Sequence, residues 1–301
     1  MDSFHNKVAV ITGGASGFGK AFARTGAALG MKLVLADIDQ DALDAEVAEL
    51  KTVGATVIGK RTDVSKSGDV QALADAAMAA FGEVNLLFNN AGVAPGGLVW
   101  ERSEEDWNWA LGVNLHGVIH GLRIFTPLML AAAAADSDYR GHIVNTASMA
   151  GLVTAPMLGP YCVTKHAVVA LSESLHFDLG LMTEQVHCSV LCPSFVATGI
   201  SRSDRNHSAD GASQVAPSRA QLAAQSRLVQ GIAAGTIGAE DVARITFDGI
   251  RDQRFYVFPH PGTTEGVRRR FDAILNARNP ADPFGEHPQN RAALVATLTV
   301  S

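Results

Sequence analysis

Four residues in the middle of the chain could together move a proton. Tyr161 and Lys165 lie four apart in YCVTK, so on a helix both side chains rise on one face. A lysine ammonium beside a phenol favours the phenolate, whereas a free tyrosine titrates near about pH 10, too high for a base at neutral pH. Taken alone, a Tyr and a Lys at this spacing more often just pack their stems. Ser148 changes the balance. It stands thirteen residues before Tyr161, just past the strand-like run HIVNTAS, at the kind of sheet edge where α/β sites gather. Its hydroxyl can hydrogen-bond a substrate oxygen, although a serine there also makes a good turn cap. Asn114 falls inside the helical segment LGVNLHGV, a poor place for Asn unless its amide has a specific partner. Hydride transfer at a carbonyl needs a group that protonates the alkoxide and, in reverse, deprotonates the alcohol.

A second constellation could hold phosphates. The apolar run Val8 to Thr12 leads into TGGASGFG, and a helical pattern starts at once. Gly13, Gly17 and Gly19 let the backbone turn tightly and approach a pyrophosphate, while Ser16 and Phe18 lie where the helix's first N–H groups face that charge. A plain Gly-rich turn is the competing reading of such a short pattern. Asp37 ends the next strand-like run, LVLAD, where a carboxylate can accept both hydroxyls of an adenine-side ribose. Asp39 competes for the other use of such a charge, at the start of the following helix.

The G-x-x-x-G-x-G spacing of Gly13, Gly17 and Gly19, taken with Ser148, Tyr161 and Lys165, resembles the short-chain dehydrogenase/reductase family over roughly residues 7–198. The resemblance implies adenine contacts at Asp63 and Val64, although Asp63 could also serve a helix start for which Ser65 is the better cap. It implies that Asn90, Ala91 and Gly92, in the N-N-A-G element, pass close to the cofactor. It implies that Asn114 helps hold a water in line with the lysine, and that Pro193 and Thr198, in CPSFVAT, border the nicotinamide carboxamide. Ser194 stands where the family has glycine. The NADP-preferring relatives carry a basic partner that neither Ala15 nor Ile38 supplies, so NAD is the expected cofactor. Members commonly assemble as homotetramers or homodimers through the helices that here carry Asn114 and Tyr161. The alternatives are an NADP-dependent ketoreductase, a silent dinucleotide-binding sensor, and a hydrolase with Ser148 as nucleophile and Lys165 as base.

These residues need a scaffold, and the rest of the chain predicts one. Short apolar runs at Val8–Thr12, Leu33–Asp37, Val57–Lys60, Leu86–Asn89, His142–Thr146, Val186–Cys192 and Phe255–Phe258 read as seven strands. Between them, Asp41–Leu50, Val70–Phe81, Glu104–Leu130 and Tyr161–Leu181 have helical period. This alternation predicts an α/β Rossmann-type, doubly wound parallel sheet over residues 1–260, with a lid at about 201–232 that includes a helix at Arg219–Ile232. Residues 261–301, with one basic helix at Val267–Leu275 and a Pro-rich stretch, form an extension rather than a domain.

With 301 residues and 47% hydrophobic content, the chain can bury such a core. A net charge of -6 and the lack of a long basic run exclude a general electrostatic grip on nucleic acid or anionic lipid, so a small-molecule partner is expected. Leu122–Ala135 is interrupted by Arg123 and Pro127 and is too short to span a bilayer. Cys162, Cys188 and Cys192 lie in apolar segments without CxxC spacing, and only six mostly polar residues precede the strand-like KVAVIT run; both predict a reducing, cytoplasmic setting. His116 and His120 read as a helix-packing pair rather than metal ligands, and Arg268–Arg270 as a solvated helix face. The Asn206-His207-Ser208 glycosylation pattern is idle without secretion. For the substrate, Met149, Met157 and Phe195 join Ser148 and Tyr161 in an apolar wall with no charged anchor, which predicts an uncharged, bulky secondary alcohol or ketone.

Overall fold

Strands that are apolar on both faces can bury them only if helices cover each side, and the computed structural model has that arrangement. It describes residues 1, 3–207, 216–260 and 262–299. The strands are β1 (Val8–Thr12), β2 (Lys32–Asp37), β3 (Thr56–Arg61), β4 (Leu86–Asn89), β5 (Gly141–Thr146), β6 (Val186–Leu191) and β7 (Tyr256–Val257). They form one parallel sheet in the order β3-β2-β1-β4-β5-β6-β7, with Val10 opposite Val34 on one side and Leu87 on the other. The helices are α1 (Gly17–Ala28), α2 (Gln40–Thr52), α3 (Ser67–Phe81), α4 (Glu104–Leu111), α5 (Gly117–Ala135), α6 (Gly159–Met182), α7 (Arg219–Ala233), α8 (Ala239–Arg251), α9 (Thr264–Leu275) and α10 (Pro288–Thr299).

The period of two in β1 divides the core. Val8 and Val10 face a layer built on Leu73 of α3, Phe125 of α5 and Val168 of α6. Ala9 and Ile11 face the opposite layer, built on Phe22 of α1, Leu43 of α2 and Phe247 of α8. In that second layer Phe22 stacks on Phe88 at 4.8 Å, and Phe4 meets Phe247 edge-on at 5.0 Å. The chain winds outward through β2 and β3 and then returns to β4 on the other side of β1. The strand order therefore reverses between β1 and β4, and a crevice opens at their carboxyl ends.

Several elements depart from the sequence expectations. The predicted helix from Glu104 to Leu130 forms as two helices joined by a π-helical turn, Gly112–His116, in which the Gly117 amide reaches back to the Gly112 carbonyl. Pro127 does not end α5, which continues to Ala135. The whole run, Glu104–Ala135, is long and apolar enough to cross a bilayer. Its inner face, Val118, Leu122, Phe125 and Met129, is buried in the core. A short 3-10 helix, Gly199–Asn206, occupies part of the predicted loop; residues 208–215 of that loop, including Ser208, lie outside the described residues. The Pro-rich tail holds α10, with Pro288 at its first position, where the missing N–H costs nothing.

Candidate active site

A cavity of about 880 Å³ opens at the carboxyl ends of the strands, and the phosphate-loop candidates form one end of it. Gly13 has φ +64°, and a Cβ there would lie 3.0 Å from the Ala91 Cα. Gly19 does not line the cavity. It lies beneath the loop, where a Cβ would collide with the Gly13 carbonyl. Thr12 locks the two loops together: its Oγ1 accepts from the amides of Asn90 at 2.9 Å and Ala91 at 3.1 Å, and the Asn90 side chain donates to the Thr12 carbonyl at 3.0 Å. This places Gly13, Ser16, Gly17, Phe18, Asn90, Ala91 and Gly92 around one space.

Asp37 borders the same space. Its carboxylate accepts from the amides of Ala15 and Asp39, each at 3.1 Å. Burial raises its pKa, partly opposed by those amides. The helix-start role falls to Asp39, whose side chain accepts from the Ala42 amide. Asp63 and Val64 also line the cavity. Burial of the Asp63 carboxyl is outweighed by the Ser65 amide and hydroxyl and by Lys66, so it titrates below the usual range. Ser65 is thereby committed to Asp63 and does not cap α3, whose first residue follows Lys66 without a side-chain cap.

Ser148, at the end of β5, and Tyr161 and Lys165, on one face of α6, line the middle of the cavity. Ser148 Oγ donates to the Pro193 carbonyl at 3.4 Å and accepts from the Ala150 amide at 3.1 Å, so the turn-cap role is real as well. Lys165, 2% exposed, donates to the Thr146 carbonyl at 2.7 Å; burial pushes its ammonium down to about 8. Its nitrogen lies 5.8 Å from the Tyr161 ring centre. Burial pushes the Tyr161 phenol up to about 12, with the Ser148 hydroxyl pulling it back. In the chain without its cofactor, burial thus outweighs the groups that favour the phenolate. Among the described residues Lys165 makes no hydrogen bond to Ser148, which a hydrolytic pair would need.

Asn114 is fully buried behind this group. Its side chain accepts from the Val93 amide at 2.8 Å and donates to the Val93 carbonyl at 2.9 Å and to Thr164 Oγ1 at 3.0 Å. These bonds answer the question of what an Asn does inside a helix, and they occur where the helix widens into its π turn. A Cβ on Gly92 would touch Asn114 Oδ1 at 3.3 Å and Lys165 Nζ at 3.6 Å, so the three residues converge.

Pro193, Thr198, Met149 and Phe195 line the cavity; Met157 does not. Met157 is 5% exposed and packs with Ala220 and Ala224 of α7, below the wall it was expected to form. The wall does contain Val153, Ala155 and Leu158, and the cavity is also lined by the charged or ionisable side chains Glu105, Arg205 and His207. These were missed, as were Trp109, Leu228 and Ile232. They come from α4, the 3-10 helix and α7, which no local spacing links. His207 meets Trp109 edge-on at 4.5 Å and lies 3.6 Å from Asp106.

The model of a family described as short chain dehydrogenase matches residues 7–209. The CLA biosynthesis dehydrogenase/reductase of Lactiplantibacillus plantarum is 33% identical, the match covering 93% of this chain and 97% of that protein. The C alpha-dehydrogenase of a Sphingobium strain is 32% identical over 98% of this chain and 94% of that protein. Among solved structures, a short chain dehydrogenase/reductase from Burkholderia phymatum in complex with NAD is 52% identical, with a TM-score of 0.91 over 94% of this chain and 99% of that one.

Proposed function

This chain belongs to the short-chain dehydrogenase family, and on that premise we propose that it transfers a hydride between NAD(H) and an uncharged, bulky secondary alcohol or ketone. The observation that carries this reading is a single cavity with the glycine loop and Asp37 at one end and Ser148, Tyr161 and Lys165 in its middle. A dinucleotide fits these residues. The close approach of Gly13 to Ala91 leaves backbone rather than side chain facing the loop, and the Asp37 carboxylate stands where a ribose diol can donate to it. The same carboxylate repels a 2′-phosphate, which supports NAD over NADP. The NAD in the 52% identical relative supports it too.

The nicotinamide, when bound, supplies or accepts the hydride. The chain's own residues handle the oxygen. In the direction of reduction the Tyr161 phenol, protonated at neutral pH, gives its proton to the carbonyl oxygen while the Ser148 hydroxyl donates a hydrogen bond to it. Lys165, held on the Thr146 carbonyl, keeps a cation within reach of the resulting phenolate. In oxidation the phenolate would take the proton of the alcohol, and the Lys165 ammonium, with the positive charge of the oxidised nicotinamide when bound, would favour that phenolate. Val153, Ala155 and Leu158 suit an apolar substrate body, and α7 covers it and keeps water out.

The test is absorbance of the reduced nicotinamide with NAD or NADP and a panel of bulky secondary alcohols. Turnover with NAD that drops by at least about a thousandfold in Tyr161→Phe is expected. Activity surviving that change would name another proton donor.

A further inference from the structure

We propose that Arg205 is a cofactor-binding residue that clamps the diphosphate of the dinucleotide, an inference that rests on the dinucleotide reading above. The phosphate loop offers backbone N–H groups but little net charge to set against two phosphates. Ser16, the residue before α1, makes no side-chain cap, and the first turn of that helix carries no acid. The two basic residues of α1 are already engaged. Lys20 and Arg24 both pair with Glu46 and Glu49 of α2, Arg24 at 3.0 and 2.6 Å. Of the cations that line the main cavity, Lys66 pairs with Asp63 at 3.3 Å, and Lys165 is committed to the Thr146 carbonyl.

Arg205 differs from all of these. Among the described residues it has no carboxylate partner, and its guanidinium lies against the start of its own helix: a Cβ placed on Gly199 would lie 3.5 Å from its Nη1. The same guanidinium borders the main cavity and an adjoining recess of about 500 Å³, and the two spaces share Ser16, Gly17 and Thr198. Gly17 and Thr198 touch, since a Cβ on Gly17 would meet the Thr198 Cβ at 3.2 Å. Arg205 therefore borders, with Ser16, Gly17 and Thr198, the recess at the glycine end of the cavity, which Tyr161 does not line. Glu240 is the one acid among the described residues that line the recess, alongside Lys20, Arg24, Arg202 and Arg205.

A planar guanidinium with several donors matches phosphate oxygens in pairs, which the flexible ammonium of a lysine does only as a point charge.

Calorimetric titration of the full-length protein with ADP-ribose and with adenosine tests this, comparing wild type with Arg205→Gln and Arg205→Lys. Arg205 is exposed and makes no core contact, so both variants should melt as wild type does. Arg205→Gln should bind ADP-ribose about tenfold more weakly, with a shallower salt dependence. Its affinity for adenosine, which has no phosphates, should stay unchanged, and Arg205→Lys should recover part of the loss. Unchanged ADP-ribose binding in Arg205→Gln would overturn the proposal, whether or not the Michaelis constant for an anionic substrate rose instead. An equal loss for adenosine would overturn it as well. If wild-type protein held ADP-ribose no better than adenosine, the dinucleotide reading would fall first, and this failure is distinct from the other two.

Discussion

Lys165 is held against its own chemistry, and that has a measurable cost. Burial depresses its pKa from an unfolded value near 10.5 to about 8. A depressed group contributes stability that is present above the unfolded value and lost as pH falls through the folded one. Wild-type protein should therefore gain about 2–3 kcal/mol relative to Lys165→Met between about pH 7 and about pH 10. The lost hydrogen bond to Thr146 shifts both pH values equally and leaves this difference intact. Denaturant melts of the two proteins at the two pH values measure it, and parallel stabilities would refute the assignment. Tyr161 acts in the opposite sense. Its raised value, about 12, means stability present below about pH 10 and lost above it, a loss that Tyr161→Phe should remove. At this scale the sequence was informative wherever chemistry depended on spacing along one element: Tyr161 with Lys165, the loop glycines, and Asp37 at a strand end. Glu105 and Trp109 of α4, and Arg205 and His207 in and just after the 3-10 helix, were hidden, because they enter the cavity from two elements that no local spacing links.

The element that deserves a mutation is the π turn. Asn114 holds both polar groups of the Val93 peptide and Thr164 at once, joining the loop after β4 to α6 across the widened helix. Asn114→Leu should destabilise the protein by about 3 kcal/mol, since it leaves buried amide and carbonyl groups unpaired. Its chemical-denaturation midpoint should fall without a change in slope. Turnover should fall further than stability explains, because Gly92 and Lys165 share that packing. A variant with a full melting temperature would show that Asn114 is not the brace described. The turn itself was not legible: its residues continue the helical period, and only the odd placement of an Asn marked the spot. The apolar pattern of α8, with Val242, Phe247 and Ile250 buried, was as readable as that of the helices predicted, yet it was not singled out. By contrast α10 offered nothing, with Pro at its start and no buried residue to set a period.

For the molecule as a whole, α6 leaves Phe177, Leu181 and Met182 exposed, with Leu181 at 84%. Large apolar groups clustered at one end of a helix mark a contact surface. Light scattering should therefore find a dimer or tetramer, and Phe177→Glu with Leu181→Glu should yield smaller particles that still bind NAD. A monomeric wild type would refute the expected assembly.

The tail, finally, bears on how such an enzyme diversifies. Leu294 and Leu298 of α10 pack on Ala220 and Ala224, and Arg227 lies 5.0 Å over the Phe284 ring, so the last stretch of chain props the cover of the cavity. The groups proposed to move the proton lie before residue 200, whereas α7, proposed to cover the substrate, leans on a terminal segment with an almost wholly exposed outer face. On that proposal part of the selectivity is written in a stretch of the gene apart from the chemistry, and a descendant that exchanged its ending for another would admit a new range of molecules while its ancestral chemistry passed down unedited.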